Sequence, residues 1–166
     1  MTAYNHQLAA GGTAAGAASR LYTPEQRERR DATSWTLVQG ILAPVQFVVF
    51  LISAVLVARY LWLGLGYEIA TGSIVLKTAL LLTIMVTGAI WEKVVFGQYL
   101  FAEAFFWEDV FSFLVIGLHA AYLWSLYVGW SPDAQMWTAV AAYLAYVVNA
   151  TQFLLKLRAA RLEGDQ

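Results

Sequence analysis

The residues best suited to acid–base chemistry lie in one short segment, from Trp91 to Asp109. The segment interleaves large aromatic side chains with four carboxylates, which are Glu92, Glu103, Glu108 and Asp109. The rings alone are compatible with the aromatic belt found at membrane surfaces. A carboxyl group buried among rings is also a suitable proton donor or acceptor for general acid–base catalysis. We therefore treat this segment as a candidate acid–base site.

Helical spacing extends the site along one helix face. Glu108, Ser112 and His119 are spaced by 4 and 7 residues, which places them on the same face. At a rise of 1.5 Å per residue, Glu108 and His119 lie roughly 16 Å apart, so they line one pocket at different depths. Glu108 and Asp109 point about 100° apart, so one carboxyl can be buried and protonated while the other stays ionised. We expect Glu108 to be the acid and Asp109 or Glu92 to be its carboxylate partner.

Other polar residues form stripes of the same kind on three further apolar segments. If the stripes converge, they enclose a polar slot that suits a bound molecule. The stripes are Gln39, Gln46 and Ser53; Lys77, Gly88 and Glu92; and Tyr146, Asn149, Gln152, Phe153 and Lys156.

Several of these residues have a structural and a functional interpretation. Lys77 either snorkels to the membrane surface or pairs with a substrate carboxylate. Asn149 and Gln152 either join neighbouring helices or contact the substrate. His119 is a helix-joining residue, an axial metal ligand or a proton shuttle. Lys156 is expected to be an anchor at the membrane surface.

The composition predicts a membrane protein. Of 166 residues, 60% are hydrophobic and only 13% are charged, against about 25% charged in soluble domains. A membrane-crossing helix needs about 20 mostly apolar residues, and four segments qualify. They are Val38–Ala58, Thr71–Ile90, Val110–Trp130 and Trp137–Leu155. The predicted fold class is therefore all-α, with four transmembrane helices.

Charge and cysteine content exclude several functions. The net charge is −1, so nothing attracts a nucleic acid. Without cysteine the chain has no disulfide, thiolate metal site, iron–sulfur cluster or thioether-linked haem. Nucleotide, phosphate-loop, HExxH and serine-nucleophile motifs are missing, and one transmembrane His does not supply bis-His haem ligation.

Flanking charges predict the topology. Lys and Arg favour the cytoplasmic side, and they cluster before the first span, after the fourth and in the middle connection, so both termini should be cytoplasmic. Thr23-Pro24-Glu25-Gln26 predicts the start of a short N-terminal surface helix. Ser131-Pro132-Asp133 starts the fourth span after a very short connection, so spans three and four should be antiparallel neighbours. We expect a disordered tail over residues 1–22 and a single domain over residues 23–166.

Distinctive strings resemble the 3-vinyl bacteriochlorophyllide hydratase family over nearly all of the chain from Leu21 to Glu163. These strings are LYTPE (21–25), WTLVQG (35–40), APVQF (43–47), KTALLLTIMVTGAIWEKVVFGQYLFA (77–102), FFWEDVFS (105–112) and VNATQFLLKLRAARLE (148–163).

The resemblance implies a lyase that adds water to the 3-vinyl group of chlorophyllide a and gives a 3-(1-hydroxyethyl) group. It implies no cofactor, because hydration is redox-neutral and the magnesium belongs to the chlorin, to which His119 is a possible axial ligand. For such a flat ligand we expect Trp91, Phe106 and Trp107, together with Lys77, Asn149 and Gln152, to bind substrate. The resemblance also implies a location in the cytoplasmic or intracytoplasmic membrane of a phototrophic bacterium. A second copy of the chain and other pigment enzymes are the candidate protein partners. A non-catalytic chlorin carrier is the alternative.

Overall fold

The computed structural model describes residues 21–164, with side chains up to Ala159, and this part of the chain is helical. Its helices are α1 (Pro24–Ala32), α2 (Ser34–Leu63), α3 (Tyr67–Phe96), α4 (Phe106–Tyr127) and α5 (Pro132–Gly164), and a short 3-10 helix, Glu103–Phe105, precedes α4. Of the predicted tail, residues 1–20 lie outside the described residues. The last residue of that predicted tail, Tyr22, is buried against Phe96 and Phe105.

The prediction of four membrane-spanning segments is confirmed. Helices α2, α3 and α5, and α4 with the 3-10 turn before it, are each long and apolar enough to cross a membrane. Their outward side chains are apolar and exposed, as Val55 and Leu144 illustrate at 68% and 65% exposure. Such a surface is costly in water and suited to lipid, because lipid tails replace the missing apolar partners.

The N-terminal helix begins where the sequence predicts. Thr23 Oγ1 accepts a hydrogen bond from the Gln26 backbone N–H at 3.2 Å, and Gln26 Oε1 accepts one from the Thr23 N–H at 2.9 Å. This reciprocal capping box satisfies two backbone donors that a helix start otherwise leaves open. Helix α1 has no buried residue and packs beside α3.

The four long helices form two hairpins. Helix α2 packs closely along α3, and α4 along α5, whereas contacts between the hairpins are much sparser. The predicted antiparallel pairing of the third and fourth spans is thereby confirmed. We call the boundary between the two hairpins the seam.

Members of all four polar stripes are buried inside the bundle. Buried polar residues come from every long helix: Gln46, Ser53, Lys77, Glu92, Glu108, Asp109, His119 and Asn149 are among them. They form two groups, one beside the connection between α3 and α4 and one deeper in the bundle. A depression of about 420 Å³ lies on the apolar outer side of the seam, where Phe50 of α2 and Tyr143 of α5 are among its lining residues.

Candidate active site

The connection between α3 and α4 folds back over the ends of both helices. Gly97 ends α3 in the left-handed region at φ +89°, and two residues of the connection, Ala102 and Phe105, are buried. Phe101 is left-handed as well, at φ +59°, a conformation that costs a residue with a Cβ about 1–2 kcal/mol. Its backbone N–H donates a 2.6 Å hydrogen bond to Asp109 Oδ2, and this bond helps to hold the strained conformation.

Glu92 and Asp109 form a buried carboxyl pair under this connection. They are only 5% and 3% exposed, and the two carboxyl groups lie close enough to influence each other. Glu92 Oε2 also accepts from the Ala102 N–H at 3.3 Å. Two carboxyl groups that are buried side by side are costly to ionise together, so one of them retains a proton. The arrangement is therefore suited to hold one proton on two carboxyls, an acid and a base side by side.

Glu108 turns away from this pair toward α5. Its Oε2 forms a 2.6 Å salt bridge with Lys156 Nζ, and Lys156 also donates to the carbonyl oxygen of Ala104. Lys156 lies over the Phe105 ring, 5.1 Å from its centroid. Besides the anchoring role expected at the membrane surface, which stays a prediction, Lys156 fastens α5 to α4 and to the connection. Its position seven residues after Asn149 on the same stripe was the signal for this role.

Asn149 joins the same two helices through its side-chain amide. Nδ2 donates to Ser112 Oγ at 2.8 Å and to the Glu108 carbonyl oxygen at 3.3 Å. These contacts favour the interpretation of Asn149 as a helix-joining residue. Gln152, one turn further on, is half-buried, and within the described residues its Oε1 has no hydrogen-bond partner.

The predicted aromatic residues fall into two environments. Trp91 faces inward, where Nε1 donates to Thr36 Oγ1 at 2.9 Å and the ring packs edge-on against Phe105. Phe106 and Trp107 face outward and are 43% and 66% exposed. Phe101, a ring of the same aromatic-rich segment, stacks at 5.6 Å on Phe113, which sequence reasoning missed. The seven-residue spacing of Phe106 and Phe113 was the available signal. We call the exposed rings Phe101, Phe106, Trp107 and Phe113 the aromatic face.

The second polar group lies deep in the bundle. Lys77 has no exposed surface, and its Nζ is 3.7 Å from the centroid of the Tyr146 ring. The expectation that Lys77 snorkels to the membrane surface is therefore wrong. His119 is equally buried, and its Nδ1 lies 2.8 Å from the Val115 carbonyl oxygen. Since a carbonyl only accepts, Nδ1 carries the proton and Nε2 keeps its lone pair, which both metal ligation and proton transfer require.

No group of three His, Cys, Asp or Glu side chains in residues 21–164 is arranged to hold a metal ion. The prediction that the protein needs no metal or cofactor of its own stays a prediction.

Comparison with known proteins identifies close relatives. A family model described as 2-vinyl bacteriochlorophyllide hydratase matches residues 22–159. The 2-vinyl bacteriochlorophyllide hydratase of Rhodobacter capsulatus is 69% identical over 144 residues, which cover 87% of this chain and 84% of the relative. The protein of the same name from Cereibacter sphaeroides is 71% identical over 146 residues, 88% of this chain and 91% of the relative. No solved structure matches.

Proposed function

This chain belongs to the 2-vinyl bacteriochlorophyllide hydratase family, and from that premise we propose how its residues carry out the hydration. The protein is a hydro-lyase of bacteriochlorophyll biosynthesis that adds water across a vinyl group on the macrocycle. The relatives' names number this vinyl group 2, and systematic tetrapyrrole numbering gives the same group the number 3. As substrate we propose chlorophyllide a, which becomes the 3-(1-hydroxyethyl) product.

The observation that carries the mechanism is the buried pair of Glu92 and Asp109. Hydration begins when the protonated member gives its proton to the terminal vinyl carbon, and the resulting cation on the inner carbon is delocalised into the macrocycle. Water then bonds to the inner carbon, and its surplus proton passes to the ionised member of the pair. The pair again holds one proton, so the hydration needs no reactant besides the vinyl substrate and water.

This mechanism assigns the role of general acid to the pair of Glu92 and Asp109 and not to Glu108. Glu108 is held by Lys156 in a salt bridge, which uses the ionised form of its carboxyl group. A general acid must carry a proton at the start of the cycle. Glu108 instead helps to hold α5 against the connection that donates N–H groups to the pair.

The aromatic face is the surface that we assign to the macrocycle near its vinyl group. It lies beside Asp109, because Phe101 both donates to that carboxylate and stacks on Phe113. Exposed rings suit a flat, mostly apolar plate, since they offer large contact area at small entropic cost. Trp91 supports the connection from beneath and is not part of this surface.

We further propose that both termini and the connection above the carboxyl pair lie on the cytoplasmic side. Arg27, Arg29 and Arg30 of α1, Lys93 at the end of α3 and Lys156 on α5 support this orientation, because such residues favour the cytoplasm. Helix α1 then lies at the surface of the cytoplasmic or intracytoplasmic membrane of a phototrophic bacterium. Contacts with a second copy or with other pigment enzymes stay a prediction.

Incorporation of heavy oxygen tests the proposed function. We incubate purified, detergent-solubilised protein with chlorophyllide a in water enriched in oxygen-18, with no cofactor added. The product should contain one heavy oxygen, and its red absorption band should move to shorter wavelength because a vinyl group leaves the conjugated system. Tight binding of the pigment without any mass gain contradicts cofactor-free hydration and supports the chlorin carrier.

Replacing Asn149 with alanine separates helix joining from substrate binding. Because the variant loses the hydrogen bonds to Ser112 and to the Glu108 carbonyl, we expect a lower melting temperature, corresponding to about 1 kcal/mol. The KM for chlorophyllide a should change by less than about twofold, which corresponds to a loss of binding free energy far below 1.4 kcal/mol. A raised KM at unchanged stability contradicts this role and makes Asn149 a substrate contact.

A further inference from the structure

Lys77 is a buried cation without a counter-ion in the described part of the chain. None of its surface is exposed, and Nζ makes neither a hydrogen bond nor a salt bridge with any residue in 21–164. Its close contact there is the face of the Tyr146 ring. A lysine inside a membrane bundle is costly unless it is paired, so such a residue usually serves a bound group.

The surroundings of Lys77 contain no group that fills the role of an anion. His119 is close enough for the lysine charge to act on it, but its Nδ1 proton is given to Val115 and its Nε2 is an acceptor without a partner in the described residues. Tyr146, whose ring Lys77 faces, packs in turn on Phe50 at 4.8 Å. The bundle therefore presents the N–H donors of a buried lysine beside an aromatic ring, and no acceptor in the described residues pairs with them.

Lys77 also lies where the bundle can admit a flat molecule. It belongs to α3 and Tyr146 to α5, so their contact crosses the seam, along which the two hairpins pack sparsely. The apolar depression between α2 and α5 opens on the same seam, and the aromatic rings of Phe50 and Tyr143 form part of its wall. A plate that enters along the seam separates the hairpins and leaves the packing within each hairpin intact.

We propose that Lys77 binds the free carboxylate of the chlorin substrate, an inference that rests on the proposed function. A bacteriochlorophyllide is the free acid of its pigment, so it brings a carboxylate that must leave water when the macrocycle enters the bundle. His119, which is close enough to Lys77 to be influenced by its charge, lies ten residues from Asp109 on α4, roughly 15 Å along the helix. The vinyl group and the propionate stand on different edges of the ring, so one macrocycle reaches both the carboxyl pair and Lys77. Lys77 thereby selects chlorins that carry a free acid.

The methyl ester of the substrate removes this charge without changing the ring. We measure the Kd and KM of chlorophyllide a and of its methyl ester with the wild-type protein, with Lys77→Met and with Arg59→Met. The wild-type protein should bind the acid about 10- to 100-fold more tightly than the ester, as expected for hydrogen bonds to a charged group. Lys77→Met should bind acid and ester equally, at the affinity of the wild-type protein for the ester. Arg59→Met removes an exposed cation of α2 and should keep the preference for the acid.

Either of two results overturns the proposal: a wild-type protein that does not distinguish acid from ester, or a Lys77→Met variant that keeps the wild-type preference. If Lys77→Met does not fold, as judged by its melting temperature, the comparison of acid and ester on the wild-type protein decides by itself. Failure of the proposed function looks different. In that case the wild-type protein prefers the acid and yet forms no hydrated product.

Discussion

Exchange of Glu92 for glutamine, or of Asp109 for asparagine, should lower kcat for hydration by a factor of about 10² to 10⁴, the usual contribution of a positioned acid or base. Each change removes the shared proton and leaves an amide of nearly the same shape. The amide oxygen can still accept from the Ala102 or Phe101 N–H, so the connection should keep its position. Steady-state absorbance measurements give kcat, and quenching of pigment fluorescence gives Kd. We expect Kd to change less than about threefold, which corresponds to well under 1.4 kcal/mol.

A carboxylate of the same connection provides the control. Glu103 is exposed at the start of the 3-10 helix, so Glu103→Gln removes one negative charge close to the site without touching the pair. This variant should retain wild-type kcat. Full activity in Glu92→Gln and Asp109→Asn would falsify the pair mechanism. Loss of activity in Glu108→Gln alone returns the acid to Glu108, as the sequence first indicated.

Replacement of Lys156 with methionine should destabilise the protein by about 3 kcal/mol, the lower end of the range for breaking a buried ion pair, because Lys156 is partly exposed. Glu108 then keeps a buried charge without its partner, and the Ala104 carbonyl loses its donor. Since the connection carries the N–H groups that hold Glu92 and Asp109, kcat should also fall, by up to about 100-fold. Thermal unfolding in detergent and the hydration assay measure the two effects.

A double-mutant cycle separates the salt bridge from the other contacts of Lys156. Lys156→Met combined with Glu108→Gln removes both charges, so it should be more stable than Lys156→Met alone. Arg158→Met, two residues further on, removes an exposed cation and should match the wild-type protein in stability and kcat. Additive effects of the two substitutions would mean that Glu108 and Lys156 do not stabilise each other.

The carboxyl pair shows which contacts can be predicted from residue spacing and which cannot. Glu92 and Asp109 were both proposed from sequence as carboxylates of the site, yet they belong to different helices, and no periodicity relates them. Glu108 shares a face with Ser112 and His119, and this phase correctly predicts that it is buried. Phase does not reveal which neighbour a buried carboxyl meets, so the salt bridge with Lys156 was missed. The left-handed Phe101, whose N–H meets Asp109, has no sequence signal at all, because a glycine would be the usual residue there.

The sequence by itself determined the helical class, the four apolar spans, the capped start of α1 and the polar stripe on each span. These features follow from local rules: run length against membrane thickness, capping chemistry and a period of 3.6 residues. Only the tertiary structure decided which polar groups meet. It joins Glu92 with Asp109 and Glu108 with Lys156, and it encloses Lys77 beside Tyr146 instead of at the surface. The physical reason is that each partner lies on another helix, so the contact depends on how the helices pack and on how the connection of residues 97–105 folds back, which no periodicity within a single helix encodes.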